Sequence, residues 1–81
     1  MKVIIRGHPR ERMLQRGVTD DDVMSVVDAY SYSVPSHNGA STSLFGTPND
    51  DGRVLMVVLL GSPPRTPYIV KTVAWKDEND D

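Results

Sequence analysis

The chain has 81 residues, of which 38% are hydrophobic and 25% charged, and it has no cysteine. This length predicts one domain, and the lack of cysteine excludes disulfides, thiolate metal sites and cysteine nucleophiles. The net charge of −2 is unevenly distributed: the first 16 residues are strongly basic and residues 77–81 hold four of the 11 acidic side chains. We expect a single domain over residues 1–76 and an acidic, disordered tail over residues 77–81.

The amino-terminal third predicts a short strand and two helices. Val3–Ile5 favours a strand, and residues 8–16 favour a helix that Gly17 ends in the left-handed conformation. Thr19 is a good N-cap for the second helix, because three aspartates follow in the first turn. Its apolar residues recur at i, i+3, i+4 and i+7, which predicts one buried face formed by Val23, Val26, Val27 and Tyr30.

The rest of the chain predicts four strands separated by turns, over residues 31–35, 42–46, 53–60 and 68–76. Residues 53–60 are apolar on both faces, which is typical of a central strand. Helices that precede an antiparallel meander indicate an α+β fold. In this fold the short N-terminal strand and the two helices pack on an antiparallel sheet.

Three polar residues of the first predicted helix, His8, Arg12 and Arg16, are spaced four apart. Each is displaced by about 40° around the helix from the one before, so the three form one ridge. Guanidinium groups bind phosphate bidentately, and an imidazole exchanges a proton near neutral pH. The ridge is therefore a candidate phosphate site, and the alternative is an ordinary solvated helix face.

Residues 8–19, with the sequence HPRERMLQRGVT, and the Asp22-Val23 pair after them resemble the amino-terminal signature of domain-of-unknown-function family 4258. The strands at residues 52–55 and 69–73 lie where that family has strands. The family is similar to the BrnT-type and RelE/ParE-type toxins. The resemblance implies a RelE/ParE-like fold and a metal-independent endoribonuclease, resembling the mRNA interferases of toxin–antitoxin systems. Its partners would be RNA, free or on the ribosome, and a separately encoded antitoxin.

The resemblance also implies roles for individual residues in the transfer of an RNA 2′-hydroxyl onto the adjacent phosphate, without a metal or other cofactor. It assigns proton transfer to His8, phosphate contact to Arg12 and Arg16, and a hydroxyl facing the site to Thr72. Neighbouring residues of a regular strand point to opposite faces, so Lys71 is the alternative to Thr72 at the site. The further candidates for nucleic-acid contact are Arg6, Arg10 and Lys71.

A contrasting interpretation is a non-catalytic protein-interaction module or a degenerate relative of the toxins, for instance one encoded on a mobile element. The same arginines would then bind an acidic protein or remain solvated. Tyr68 and Trp75 are candidates for stacking on bases, although aromatic residues in a closing strand more often belong to the core. The longest apolar run, Val54–Leu60, is far shorter than a membrane span, so we expect a cytoplasmic protein without a membrane partner.

Overall fold

The computed structural model describes residues 2–76, which form an α+β fold of two helices and five strands. The elements are β1 Val3–Ile4, α1 His8–Arg16, α2 Asp20–Ala29, β2 Tyr32–Pro35, β3 Ser41–Phe45, β4 Leu55–Leu60 and β5 Tyr68–Trp75. The predicted bounds of the first helix are confirmed, and the predicted strands shift by one or two residues at their ends. The predicted acidic tail lies outside the described residues. Neither helix within residues 2–76 is long and apolar enough to cross a membrane.

The two helices are delimited by the residues that the sequence indicates. Gly17 has φ of 68° and ends α1 in the left-handed conformation. Thr19 and Asp22 form a capping box: each side chain accepts a hydrogen bond from the other residue's backbone N–H, at 3.1 and 2.9 Å. The helix ends at Ala29, however, and Tyr30 beyond it is 47% exposed. The prediction that Tyr30 belongs to the buried face is therefore wrong, because the helical periodicity stops before it.

The five strands form one sheet in the order β1-β5-β4-β3-β2, with β4 in the centre as predicted. Strands β2 to β5 pair antiparallel, whereas β1 pairs parallel with β5. The sheet is mixed, so the prediction of a wholly antiparallel sheet is corrected at this edge. A parallel pair needs a long connection, and residues 5–67 provide one. Local sequence patterns do not reveal such a distant pairing.

The core lies between the helices and one face of the sheet. Helix α1 contributes mainly Met13 to this core. The other core residues come from α2, from the sheet and from the link between the helices: Val18, Val23, Val26, Val27, Leu44, Leu55, Val57, Leu59, Val70 and Val73. Helix α2 packs over β3 and β4, and α1 packs against β5. A methyl group on Gly46 would lie 2.9 Å from Val26 Cγ2, so the absence of a side chain there permits the close approach of α2.

Strand β5 contains a β-bulge that changes which of its side chains share a face. Val58 pairs with Thr72, but Leu59 pairs with Val70, so Lys71 is an extra residue between the two pairs. Val70 and Val73 consequently both face the core, where they are 3% and 0% exposed. The regular alternation predicted for residues 68–75 put these two valines on opposite faces and is wrong for this reason.

The face of the sheet opposite the core is called the open face here. Residues directly opposite each other on antiparallel strands share a face. One row across the open face therefore consists of Tyr32, Phe45, Met56 and Ala74, and the next row consists of Val34, Ser43, Val58 and Thr72. The open face is thus largely apolar and aromatic, and α1 lies along the side where β5 borders it.

Candidate nucleic-acid groove

The polar ridge of α1 borders a groove of about 530 Å³ between this helix and strands β4 and β5. The groove is lined by His8, Arg12, Arg16, Met56, Val58, Lys71, Thr72, Val73 and Ala74. Two guanidinium groups, an ammonium group, an imidazole and a hydroxyl thus surround one space. No carboxylate is among the described residues that line it. The local field therefore favours an anionic ligand.

Two contacts hold α1 against the sheet and so set the width of the groove. Met13 points into the core and is 3% exposed. Trp75, the last residue of β5, donates a hydrogen bond from Nε1 to the backbone oxygen of Arg16, at 3.0 Å. Because this bond joins the last turn of α1 to the end of β5, it ties together the two walls that carry the polar groups.

The imidazole and the guanidinium in the middle of the ridge are hydrogen-bonded to each other. Arg12 donates from Nε to His8 Nε2 and from Nη1 to Gln15 Oε1, both at 3.2 Å. His8 Nε2 is therefore the acceptor of the bond from Arg12. His8 is exposed and Arg12 is half-buried. The pair therefore places an imidazole and a guanidinium side by side at the surface of the groove.

Lys71 and Thr72 both line the groove, which corrects the prediction that only one of them faces the site. The prediction assumed a regular strand, in which neighbouring side chains alternate. The bulge at Lys71 interrupts the alternation, so both side chains reach the same space. The strand wall therefore contributes a cation and a hydroxyl opposite the ridge.

The structure places Arg10 and Arg6 away from this groove. Arg10 forms a bidentate salt bridge with Asp20, with Nη1 bonded to Oδ1 and Nη2 to Oδ2 at 3.1 Å, and its Nε donates to the oxygen of Ile5 at 3.2 Å. Hydrogen bonding from Arg10 lowers the pKa of Asp20, and the same bond raises the pKa of Arg10. Arg10 thus links α1 to the start of α2, and Arg6 is an exposed residue before α1. Their contact with nucleic acid stays a prediction.

The apolar floor of the groove was not predicted as part of a site. The side chains of Met56, Val58 and Ala74 supply it. The one sequence signal was that residues 53–60 are apolar on both faces, which leaves Met56 and Val58 on the face away from the core. Nothing local indicates that α1 lies beside them, because their proximity depends on strand pairing.

Comparison of the chain with protein-family models, with curated proteins and with solved structures finds no match. Within residues 2–76, no three His, Asp or Glu side chains are grouped so that they could hold a metal ion. The geometry of the groove and the chemistry of its side chains are therefore the basis for a functional proposal.

Proposed function

We propose that this protein is a metal-independent endoribonuclease of the toxin type with a RelE/ParE-like fold, and that RNA binds in the groove between α1 and β5. The observation that carries the proposal is the convergence of five polar residues from two distant segments, His8, Arg12, Arg16, Lys71 and Thr72, on one groove. The resemblance of residues 8–19 to a family similar to these toxins supports the assignment of proton transfer and phosphate contact to the ridge.

The proposed reaction is the attack of an RNA 2′-oxygen on the adjacent phosphorus. His8 Nε2 accepts the 2′-hydroxyl proton once Arg12 turns from the imidazole to the phosphate. The bond from phosphorus to the 5′-oxygen breaks, and the Lys71 ammonium on the opposite wall protonates that oxygen. The products are a 2′,3′-cyclic phosphate and a 5′-hydroxyl. Arg12 and Arg16 stabilise the charge on the phosphoryl oxygens, and the Thr72 hydroxyl donates to one of them.

The three strong cations of the groove predict a defined salt dependence of RNA binding. Each contact between a cation and a phosphate of single-stranded nucleic acid contributes about −0.7 to the slope of log K against log salt concentration. Arg12, Arg16 and Lys71 together predict a slope of at most about −2, which is reached when each of them neutralises a different phosphate of the RNA. Replacement of Arg12 by alanine is expected to make the slope less steep by about 0.7.

The proposal includes a separately encoded antitoxin that covers the groove. A partner with acidic side chains would pair with the cations that otherwise contact phosphate, and it would prevent RNA from reaching His8. Binding of the antitoxin and binding of RNA are therefore expected to be mutually exclusive.

The test is a cleavage assay with purified protein and end-labelled RNA, performed on RNA alone in a chelator and on mRNA bound to ribosomes in the Mg²⁺ that ribosomes require. We expect the wild type to give products with 2′,3′-cyclic phosphate ends and to leave an RNA with a 2′-deoxy residue at the cleavage site intact. The His8→Ala variant should cleave about 100- to 10,000-fold more slowly with similar RNA affinity. Arg12→Ala should lose both affinity and rate.

Arg65→Ala is the matched control, because it removes the same charge from a loop that lines a different cavity. It should bind and cleave RNA as the wild type does, and circular dichroism should show that all variants are folded. The proposal is wrong if His8→Ala cleaves as fast as the wild type, or if the wild type cleaves neither substrate. Loss of affinity on Arg12→Ala without any cleavage would instead support the non-catalytic interaction module.

A further inference from the structure

An exposed aromatic pair lies on the open face, outside the groove. The rings of Tyr32 and Phe45 are stacked, with centroids 4.6 Å apart and an angle of 12° between their planes. Tyr32 belongs to β2, the edge strand of the sheet, and is 43% exposed. One face of its ring packs on Phe45, and among residues 2–76 no strand follows β2 on the other side. A flat aromatic surface is therefore accessible at this edge.

A cation accompanies the pair. Lys76 follows β5, and its Nζ lies 5.5 Å from the ring centroid of Tyr32 and 5.7 Å from that of Phe45. Its backbone N–H donates to the oxygen of Val54 at 2.8 Å, which anchors this residue beside β4. A planar ring next to an ammonium group suits a nucleotide, which offers a base for stacking and a phosphate for the charge.

The pair is continuous with the groove. Tyr32 is paired with Phe45, Phe45 with Met56 and Met56 with Ala74, and the last two residues line the groove. Two strand spacings, about 10 Å, separate β4 from β2. A chain that leaves the groove across the open face therefore reaches the aromatic pair within a short distance, with cations at both ends of its path.

Resting on the proposed function, we propose that the open face binds the single-stranded RNA that extends beyond the cleavage site, with a base stacked on Tyr32 and the adjacent phosphate near Lys76. The combination of a stacked ring and an adjacent ammonium group favours RNA over a protein partner, since a nucleotide supplies both a base for Tyr32 and a phosphate for Lys76. This surface would make the protein bind a longer RNA more tightly than a dinucleotide. Stacking tolerates any base, so the added affinity would not depend strongly on sequence.

The test compares two non-cleavable ligands, a 2′-O-methyl oligouridine of about ten nucleotides and the corresponding dinucleotide. We expect Tyr32→Ala to weaken binding of the oligonucleotide by about 5- to 100-fold and to leave the dinucleotide affinity unchanged. Tyr32→Phe should bind both ligands as the wild type does. Tyr32→Leu, which keeps apolar area but removes the ring, should behave like Tyr32→Ala and so separates stacking from packing of the edge strand.

Tyr30→Ala is the matched control, since Tyr30 is 47% exposed but lines a different cavity with α2. The inference is overturned if Tyr32→Ala binds the oligonucleotide as tightly as the wild type. That result would favour a protein as the partner that binds the open face. The inference is also overturned if binding of both ligands falls equally. The Arg12→Ala variant separates failure of this inference from failure of the proposed function. If Arg12→Ala binds both ligands as tightly as the wild type and Tyr32→Ala binds the oligonucleotide more weakly, only the groove proposal fails.

Discussion

The hydrogen bond from Trp75 to Arg16 offers a direct test of how the groove is assembled. In Trp75→Phe a smaller aromatic ring replaces the indole, and the Nε1–H that donates to the backbone oxygen of Arg16 at 3.0 Å is lost. A hydrogen bond of this kind contributes about 0.5–1.5 kcal/mol to the free energy of unfolding. The Arg53 guanidinium, 4.4 Å from the ring centroid of Trp75, interacts more weakly with the smaller ring, at a cost of a few tenths of a kcal/mol.

The sum predicts a loss of about 1–2 kcal/mol in the free energy of unfolding. For a domain of this size, that corresponds to a decrease of about 4–16 °C in Tm. Thermal unfolding followed by circular dichroism is the appropriate assay, since Trp75 is the only tryptophan and its fluorescence disappears in the variant. Arg53→Gln serves as the control, because it removes the cation and keeps the indole N–H. We expect its Tm to fall by much less.

The same substitution should affect RNA binding beyond its effect on stability. At a temperature where both proteins are folded, a less firmly held α1 lets the ridge move relative to Lys71 and Thr72, so Trp75→Phe should weaken RNA binding several-fold. An unchanged Tm together with unchanged RNA affinity would refute the reasoning that this bond sets the geometry of the groove.

Two further predictions concern the packing of α2 and the link between the helices. Gly46→Ala places a methyl group 2.9 Å from Val26 Cγ2, so it should destabilise the fold by about 1–3 kcal/mol, and chemical denaturation that shows equal stability would contradict the close approach. Hydrogen bonding from Arg10 lowers the pKa of Asp20 below 3.8 in the folded state. The bond therefore stabilises the fold above pH 3.8, and this contribution is lost as the pH falls through the lower, folded-state pKa. Compared with Asp20→Asn, the wild type should lose slightly more Tm between neutral pH and strongly acidic pH, by a small margin because both side chains are exposed. Parallel pH profiles of Tm would contradict this role.

Several features were predictable because short segments determine them. The end of α1 follows from the left-handed Gly17, and the start of α2 follows from the capping box of Thr19 and Asp22. The common ridge of His8, Arg12 and Arg16 follows from helical geometry alone, since residues four apart lie on one side of a helix. The central position of β4 follows from its apolar character on both faces.

Other features were decided only when distant segments packed together. The parallel pairing of β1 with β5 and the bulge at Lys71 are properties of strand register, which no single segment encodes. The bulge is what places Lys71 and Thr72 together opposite the ridge, whereas the sequence alone offered one or the other. Pairing across the sheet likewise brings Tyr32 to Phe45. Helical periodicity and caps depend on neighbours a few residues apart, so the sequence by itself determined the ridge, while register depends on contacts across the whole chain, so only the tertiary structure decided what the ridge faces.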